Sequence, residues 1–562
     1  MTQRLTYSSI IFLLLFLPSH KYASGELVYS QNGMVVSASQ TASEVGVDIL
    51  KQGGNAIDAA VATGFALAVT YPSAGNIGGG GFMVININGH NTTIDFRETA
   101  PFAATEKMLL DEEGNYNTKK SLHEWTSVGI PGSVAGLIYA LEKYGTMNLR
   151  EVIQPAIDLA ENGFVLDYWL TESINKFYSS FSSIESSKNI FTNKGDSLKM
   201  NSLFVQKDLA NTLKLIRDNG KDGFYKGIIA DIFVEQSRNN NGLISYEDLE
   251  NYKAIERDPI ISSYKEYQII GMPPPSAGGI GIAQTLAVLE KYNFTKEQWA
   301  SSGYIHTISE ILKYVYADRA EYIGDNDFHE VPIDYLLSEN HINDIYSKIS
   351  ETAIPSLEIN NIHYFPSEKT ETTHYSVIDR DGNAVSTTVS LNSSYGNKIV
   401  LDGAGFLLNN HMDDFTAKVG VENQFGIVGS EANKIAPGKR MLSSMSPTIV
   451  LNDDKPFLIL GSPGGSTIIT SVLQVIINVL EFNMNIRDAI NAPRFHHQWL
   501  PDEIVLESYG MTEDVKFNLI NRGHKLKEIS ILGRVEGILF DKHNNLYWGS
   551  SDKRGFGKAV GY

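Results

Sequence analysis

Residues 372–390 read TTHYSVIDRDGNAVSTTVS. Two runs rich in β-branched residues, Thr373–Ile378 and Ala384–Leu391, flank the turn Arg380-Asp381-Gly382. That turn suits a three-residue hairpin loop in which Gly382 takes the left-handed conformation. A hairpin centred there pairs residues symmetrically about Asp381 and sets Thr372 opposite Ser390. Two hydroxyls then stand side by side at its open end. Asn392 follows two residues beyond Ser390, on the same face of the strand.

A Thr that opens a strand matters if the chain is cut before it. A free α-amine has a pKa of about 7.7–8. It is therefore a usable general base near neutral pH, on the same residue as the hydroxyl it would activate. Thr is stiff at χ1, which holds Oγ in line. From the hairpin alone, an ordinary Thr-rich surface strand is the plainer reading.

Outward from the hairpin, Ser350–Lys369 is polar, Pro-interrupted and without periodicity, as a surface segment would be. Strand signals recur toward the C-terminus at Pro447–Leu451, Phe457–Gly461 and Val535–Phe540. Upstream, helices are expected over Thr307–Tyr322 and over Ile280–Tyr292, the latter following the turn-dense GMPPPSAGGIG at Gly271–Gly281. Residues from about 150 to 260 are polar and helix-patterned, and Ile184–Asn201 is the most loop-like part of them. Glu44–Gln52 reads as a helix stopped by Gly53-Gly54, and Asn55 caps a second helix through Val69. The second helix, AIDAAVATGFALAV, is apolar nearly all round and should be sandwiched inside the fold. Leu27–Ser37 alternates weakly, as one strand. The cluster GNIGGGG at Gly75–Gly81 precedes the strand Phe82–Ile87 and signals close backbone approach. It is not a phosphate loop, because no Gly-Lys-Ser/Thr follows.

Composition narrows the function. The 562 residues are 42% hydrophobic and 20% charged, enough apolar surface for a packed core. With 46 Lys+Arg against 65 Asp+Glu the net charge is −19, and no long basic run offers a nucleic-acid surface. The absence of Cys excludes disulfides, thiolate metal sites and a Cys nucleophile. Arg4 precedes the apolar run IIFLLLFL at Ile10–Leu17, which Pro18 ends. Crossing a bilayer core takes about 20 residues, so this run suits a secretory signal. Ala23 and Gly25 have the spacing of a cleavage site, which makes residues 1–25 a leader. No later segment is apolar enough to span a membrane. An exported protein, periplasmic or secreted, is expected.

Further blocks stand out along the chain. They are GNAIDAA at Gly54–Ala60, PSAGNIGGGGFM at Pro72–Met83, DFRETAP at Asp95–Pro101, VGIPGSVAGL at Val128–Leu137 and MPPPSAGG at Met272–Gly279. They continue with ADRAEYIGD at Ala317–Asp325, LLNNHMDDF at Leu407–Phe415, RMLSSMSPTIV at Arg440–Val450, GSPGG at Gly461–Gly465 and APRFHHQW at Ala492–Trp499. With these blocks and the hairpin, the chain resembles the γ-glutamyltranspeptidases of the N-terminal-nucleophile hydrolase superfamily over nearly its whole mature length.

The resemblance implies an α+β fold, a four-layer αββα sandwich formed by two chains cut from one precursor. Cleavage between Glu371 and Thr372 would give a large subunit, 26–371, and a small subunit, 372–562, which stay together as a heterodimer. Thr372 is implied as the nucleophile of both self-cleavage and turnover, and Ser390 as its hydroxyl partner. The amides of Gly464 and Gly465 are implied as the oxyanion hole. Arg97, with Ser443 and Ser444, would hold the α-carboxylate of a γ-glutamyl group, and Asp414, with Asn392, its α-ammonium. The group would pass from glutathione or other γ-glutamyl compounds to water, an amino acid or a peptide, without a metal or cofactor.

The residues also allow plainer roles. Arg97 could be an interior ion pair, Ser443 and Ser444 could satisfy buried backbone, and Asp414 could cap a helix, with Asp413 the more structural of the two. Two positions depart from the family. His411 stands where members commonly carry Gln or Glu near the α-ammonium. Neutral, it can accept a hydrogen bond there; protonated, it would repel the substrate. Val421–Asn433 matches a lid loop, but Phe425 replaces an aromatic that is often Tyr, so the lid lacks that hydroxyl. His496-His497 offers no complete ligand set, Asp325, Asp327, His329 and Glu330 read as an exposed acidic turn, and Ser262-Ser263-Tyr264-Lys265 lacks the companions of an S-x-x-K site. His374 shares the nucleophile's face and reads as structural. The rival activities are a glutaryl/cephalosporin acylase, a poly-γ-glutamate hydrolase and an unprocessed γ-glutamyl-peptide binding protein. Asp414 argues against the first, because glutaryl has no α-ammonium. The lid loop argues against the second.

Overall fold

The computed structural model describes residues 26–359, 372–418 and 430–562. The leader 1–25, Glu371 and Phe425 lie outside the described residues.

Two seven-stranded sheets, both antiparallel throughout, form the centre. The hairpin sheet runs, in spatial order, Lys558–Gly561, Met34–Ser37, Thr372–Ile378, Ala384–Ser390, Gly80–Ile87, His90–Phe96 and Ile255–Arg257. The second runs Val28–Ser30, Leu546–Ser551, Glu536–Asp541, Lys455–Gly461, Thr448–Asn452, Tyr267–Gly271 and Ile260–Tyr264. Alternation along each strand divides the core. Val35, Met83, Ile85, Tyr375, Val377 and Val385 pack with the helices Gln40–Lys51, Ala56–Thr70, Ser133–Tyr144 and Leu149–Asn162. Met34, Val36, Phe82, Val84 and Ile378 point the other way. They join the second sheet and the helices Gly278–Leu289, Ser302–Tyr322 and Thr467–Leu480. The layers are helix, sheet, sheet, helix, as the family resemblance implied.

The hairpin has the expected register, with Thr372 paired to Ser390 and Ile378 to Ala384. Gly382 has φ 83°, the left-handed value that its turn requires. Asn55 caps Ala56–Thr70 reciprocally with Asp58, and every residue of that helix is buried.

Other expectations need correction. Leu27–Ser37 is two strands, Val28–Ser30 and Met34–Ser37, delivered to different sheets by the turn around Asn32-Gly33. Ile184–Asn201 contains a helix, Glu185–Phe191, held by Ser187 donating to Lys398 O at 2.6 Å and by burial of Phe191. The helix foreseen over Thr307–Tyr322 begins at Ser302, because Ser301 caps it. Ser356–Ile359 forms a short helical turn within the segment foreseen as irregular. Among the described residues, no helix is long and apolar enough to cross a membrane.

Candidate active site

Thr372 opens its strand on the face toward the second sheet and is buried. Its Oγ1 donates to Ser390 Oγ at 3.3 Å, and the same oxygen accepts from Asn392 N at 2.9 Å. Asn392 is not a continuation of the strand, which ends at Ser390. It sits in the left-handed region, with φ 78°, and donates from Nδ2 to Asn410 O at 2.9 Å. The glycine cluster explains how the neighbouring strand comes so close. A Cβ on Gly79 would lie 2.2 Å from Ser390 O, and one on Gly80 2.5 Å from Phe96 O.

Beside the hairpin lies a buried charge cluster. Arg97, 1% exposed, donates from Nη2 to Asp414 Oδ2, from Nη1 to Glu98 Oε2 at 3.3 Å and from Nε to Met441 O at 3.3 Å. Asp414 Oδ1 is buried without a hydrogen-bond partner among the described residues. The interior ion pair that the sequence left open for Arg97 is thus present. Asp414 caps no helix. Asp413 accepts from the hydroxyls of Tyr116 and Ser121, which is the structural role expected of it.

His411 is buried, with Nδ1 2.7 Å from Glu98 Oε1. A carboxylate only accepts, so Nδ1 carries the proton and the neutral ring's Nε2 keeps its lone pair. Burial lowers the His411 pKa, the Arg97 charge lowers it further, and Glu98 opposes both. Ser443 Oγ accepts from Met445 N at 3.1 Å, and Ser444 Oγ accepts from Arg319 Nη2 at 3.1 Å.

Gly464 and Gly465 follow the strand Lys455–Gly461 and precede the helix Thr467–Leu480. Their φ values are 137° and 59°, which glycine adopts without strain. Gly464 O accepts from Thr467 N at 3.1 Å, while neither glycine amide has a protein acceptor among the described residues. Two free N–H groups at a helix start suit a developing oxyanion.

The sequence missed Glu98 and Arg319. Glu98 adjoins Arg97 in DFRETAP, but strand alternation would point the two apart. The chain leaves the strand at Phe96, and Thr99 bridges both Ile130 and Arg440, which lets both side chains enter the site. Nor is Asp325 exposed. It is buried, accepts from the Arg440 backbone N–H at 2.8 Å and faces the Arg257 guanidinium at 3.8 Å, so one cation already serves the acidic turn. His496 bonds Thr470 and Gln498 at 2.9 Å each, an interior role. The ligand atoms of His306, Glu310 and His524 lie within 4.8 Å of one another. The two rings already hydrogen-bond at 2.8 Å, however, and the Lys313 ammonium pairs with Glu310 at 2.8 Å where a cation's charge would sit.

An αββα sandwich with a central hairpin that opens on a Thr is the architecture of the N-terminal-nucleophile hydrolases. The gamma-glutamyltranspeptidase family model matches residues 42–562. The glutathione hydrolase proenzyme of Escherichia coli (strain K12) is 49% identical over 530 residues, 94% of this chain and 91% of the relative. A crystal structure of Helicobacter pylori gamma-glutamyltranspeptidase matches with TM-score 0.56 at 42% identity, over 58% of this chain and 95% of that one. A cephalosporin acylase from Bacillus halodurans shares the fold, with TM-score 0.84 at 24% identity over 98% of this chain and 99% of that one. The chain belongs to the γ-glutamyltranspeptidase family.

Proposed function

We propose that the chain is an exported, self-processing γ-glutamyl transferase and hydrolase acting on glutathione and related γ-glutamyl compounds. The carrying observation is Thr372 at the head of its strand with its hydroxyl on that of Ser390. In the uncut chain the Thr372 nitrogen is an amide. Cleavage after Glu371 would make it an amine, into 26–371 and 372–562, once the leader 1–25 is gone. The leader's apolar run supports export to the periplasm or the medium.

In turnover, the α-amine takes the Oγ proton as Oγ attacks the γ-carbonyl carbon. Negative charge gathers on the carbonyl oxygen, toward the amides of Gly464 and Gly465. The C–N bond breaks and the amine's proton passes to the departing peptide nitrogen, leaving a γ-glutamyl ester on Thr372. Water, or the amine of an amino acid or peptide, then attacks the ester by the reverse proton route. The α-carboxylate takes the Arg97 fork, and Ser443 and Ser444 assist. The α-ammonium meets Asp414, Asn392 and the His411 Nε2 lone pair.

Denatured mass spectrometry of wild-type protein and Thr372→Ala tests the reading. Two wild-type chains meeting at Glu371/Thr372, an intact variant, and turnover of a γ-glutamyl anilide well above a glutaryl anilide are expected. A single uncut, inactive wild-type chain would move the reading to a binding protein, and equal rates on both anilides to an acylase.

A further inference from the structure

His374 is a buried titratable group that this mechanism does not use. It stands two residues from Thr372 on the same strand face, completely inaccessible to solvent. Both ring nitrogens are engaged. Nδ1 lies 2.9 Å from Thr388 Oγ1, and Nε2 lies 3.0 Å from Ser376 Oγ. Ser376 Oγ donates its one proton to the second sheet, where Ile459 O and Glu536 O lie at 3.3 and 3.1 Å. Ser376 must therefore accept from His374 Nε2–H, and Nδ1 must accept from the Thr388 hydroxyl. The chain of donors has one direction, from the hairpin strand of Ser390 through the imidazole to the opposite sheet. Burial pushes the His374 pKa down to about 3, so the ring stays neutral wherever the enzyme works.

The ring also lies flat on Gly461. A Cβ there would sit 2.3 Å from His374 Nδ1 and 2.4 Å from Cε1. Gly461 ends the strand that leads, three residues on, to Gly464 and Gly465. One edge of the imidazole is thus fixed to the strand of the nucleophile, and one face to the strand of the oxyanion amides.

We propose that His374 is a positioning residue that gauges the separation between the Thr372 hydroxyl and the amides of Gly464 and Gly465. It does so through its bonds to Thr388 and Ser376 and its contact with Gly461. This rests on the function proposed above. A tetrahedral intermediate must touch the nucleophile and the amide donors at once, so a shift of a few tenths of an ångström between sheets weakens transition-state contacts more than ground-state ones. The ring neither takes nor gives a proton in the reaction.

The test compares wild type with His374→Gln, His374→Ala, Gly461→Ala and the double variant His374→Ala/Gly461→Ala on a γ-glutamyl anilide. Where a variant stays uncut, its self-cleavage half-time replaces kcat, since both reactions use Thr372. His374→Ala should lower kcat by roughly tenfold to a hundredfold while KM stays within about twofold. His374→Gln, which can still bridge two hydroxyls, should recover part of the loss. Gly461→Ala should be worse than His374→Ala, and the double variant should regain roughly tenfold over Gly461→Ala, because the ring that clashed is gone. The pH profile between about pH 5 and 9 should keep its shape in His374→Gln. A His374→Ala kcat within about twofold of wild type would overturn the proposal, as would the lack of any relief in the double variant or the loss of a pH limb in His374→Gln. Wild-type protein inactive on the anilide would instead defeat the functional reading itself.

Discussion

Arg97 and Asp414, the groups we propose for the two charges of a substrate amino acid, are paired with each other. A zwitterion can enter by exchange, its carboxylate replacing Asp414 on Arg97 and its ammonium replacing Arg97 on Asp414. The number of buried charge pairs rises while none is left single, so the desolvation that opposes burying an isolated ion is largely avoided. Glu98, which accepts from Arg97 Nη1, would keep Arg97 oriented during such an exchange.

Asp414→Asn should therefore harm γ-glutamyl substrates selectively. Loss of one partner from a buried charge pair costs about 2–5 kcal/mol, and kcat/KM for a γ-glutamyl anilide should fall accordingly. The rate on a glutaryl anilide, which has no ammonium, should change far less. Parallel losses on both substrates would show that Asp414 only supports Arg97.

The site should be sensitive to acid through His411. Burial holds its pKa below the ordinary His value of about 6.5, so the accepting, neutral ring is present above that lowered value. Below it the ring charges and repels the ammonium, and kcat/KM falls with KM rising. His411→Gln should remove this acid limb while leaving the basic limb. An unchanged acid limb in that variant would dissociate His411 from the substrate.

Ser390→Ala takes away the oxygen shared by Thr372 Oγ1 and Asn392 N. Leaving a buried donor unsatisfied costs about 1–3 kcal/mol, and self-cleavage and turnover should both slow by roughly tenfold or more. Ser390→Thr keeps the oxygen and should retain most activity. Timed gel or mass analysis of cleavage, beside steady-state rates, measures both.

Gly464→Ala should fold but turn over poorly. Its φ of 137° excludes an L side chain without strain, and a Cβ would lie 2.5 Å from Thr467 Oγ1. Misplacing an oxyanion donor typically costs about 10²–10³ in kcat. A variant with near-normal kcat would place the oxyanion elsewhere.

Buried histidines also set a stability limit. Burial lowers the pKa of His374 to about 3, of His496 to about 4 and of His524 to about 3. In the unfolded chain each would titrate near about 6.5. The unfolded state thus binds more protons in between, and stability that is full above that value is lost as pH falls through it toward the folded pKa. The loss approaches about 1.4 kcal/mol per pH unit for each ring. The urea midpoint of the uncut Thr372→Ala chain should drop from neutral pH to about pH 5, and His524→Gln should flatten that drop. An unaltered slope would assign the acid sensitivity to other groups.

The hairpin was legible because β-branched runs flank a turn that carries Gly382, so the centre of the turn fixes the register across the whole unit. The capped helix after Asn55 was legible for the same local reasons. The weak alternation around Val28–Ser37 hid a break that Asn32-Gly33 in fact signals, and only tertiary context assigns the two halves to different sheets. Glu98 and Arg319 had no local signal. Glu98 acquires its partner 313 residues away, and Arg319 reaches Ser444 125 residues on. Such contacts are properties of the assembled layers.

The hairpin sheet interleaves what cleavage would separate. Strands Lys558–Gly561, Thr372–Ile378 and Ala384–Ser390 would fall in one chain, while Met34–Ser37, Gly80–Ile87, His90–Phe96 and Ile255–Arg257 would fall in the other. Met34–Ser37 lies between two strands of its neighbour chain and pairs with both. The intact peptide bond is then a tether that keeps both halves at high effective concentration while the sheet assembles. Once it is cut, that tether is gone but the woven sheet remains, so the mature enzyme would be easy to keep folded and hard to rebuild. Maturation would be a one-way step for the fold as well as for the chemistry.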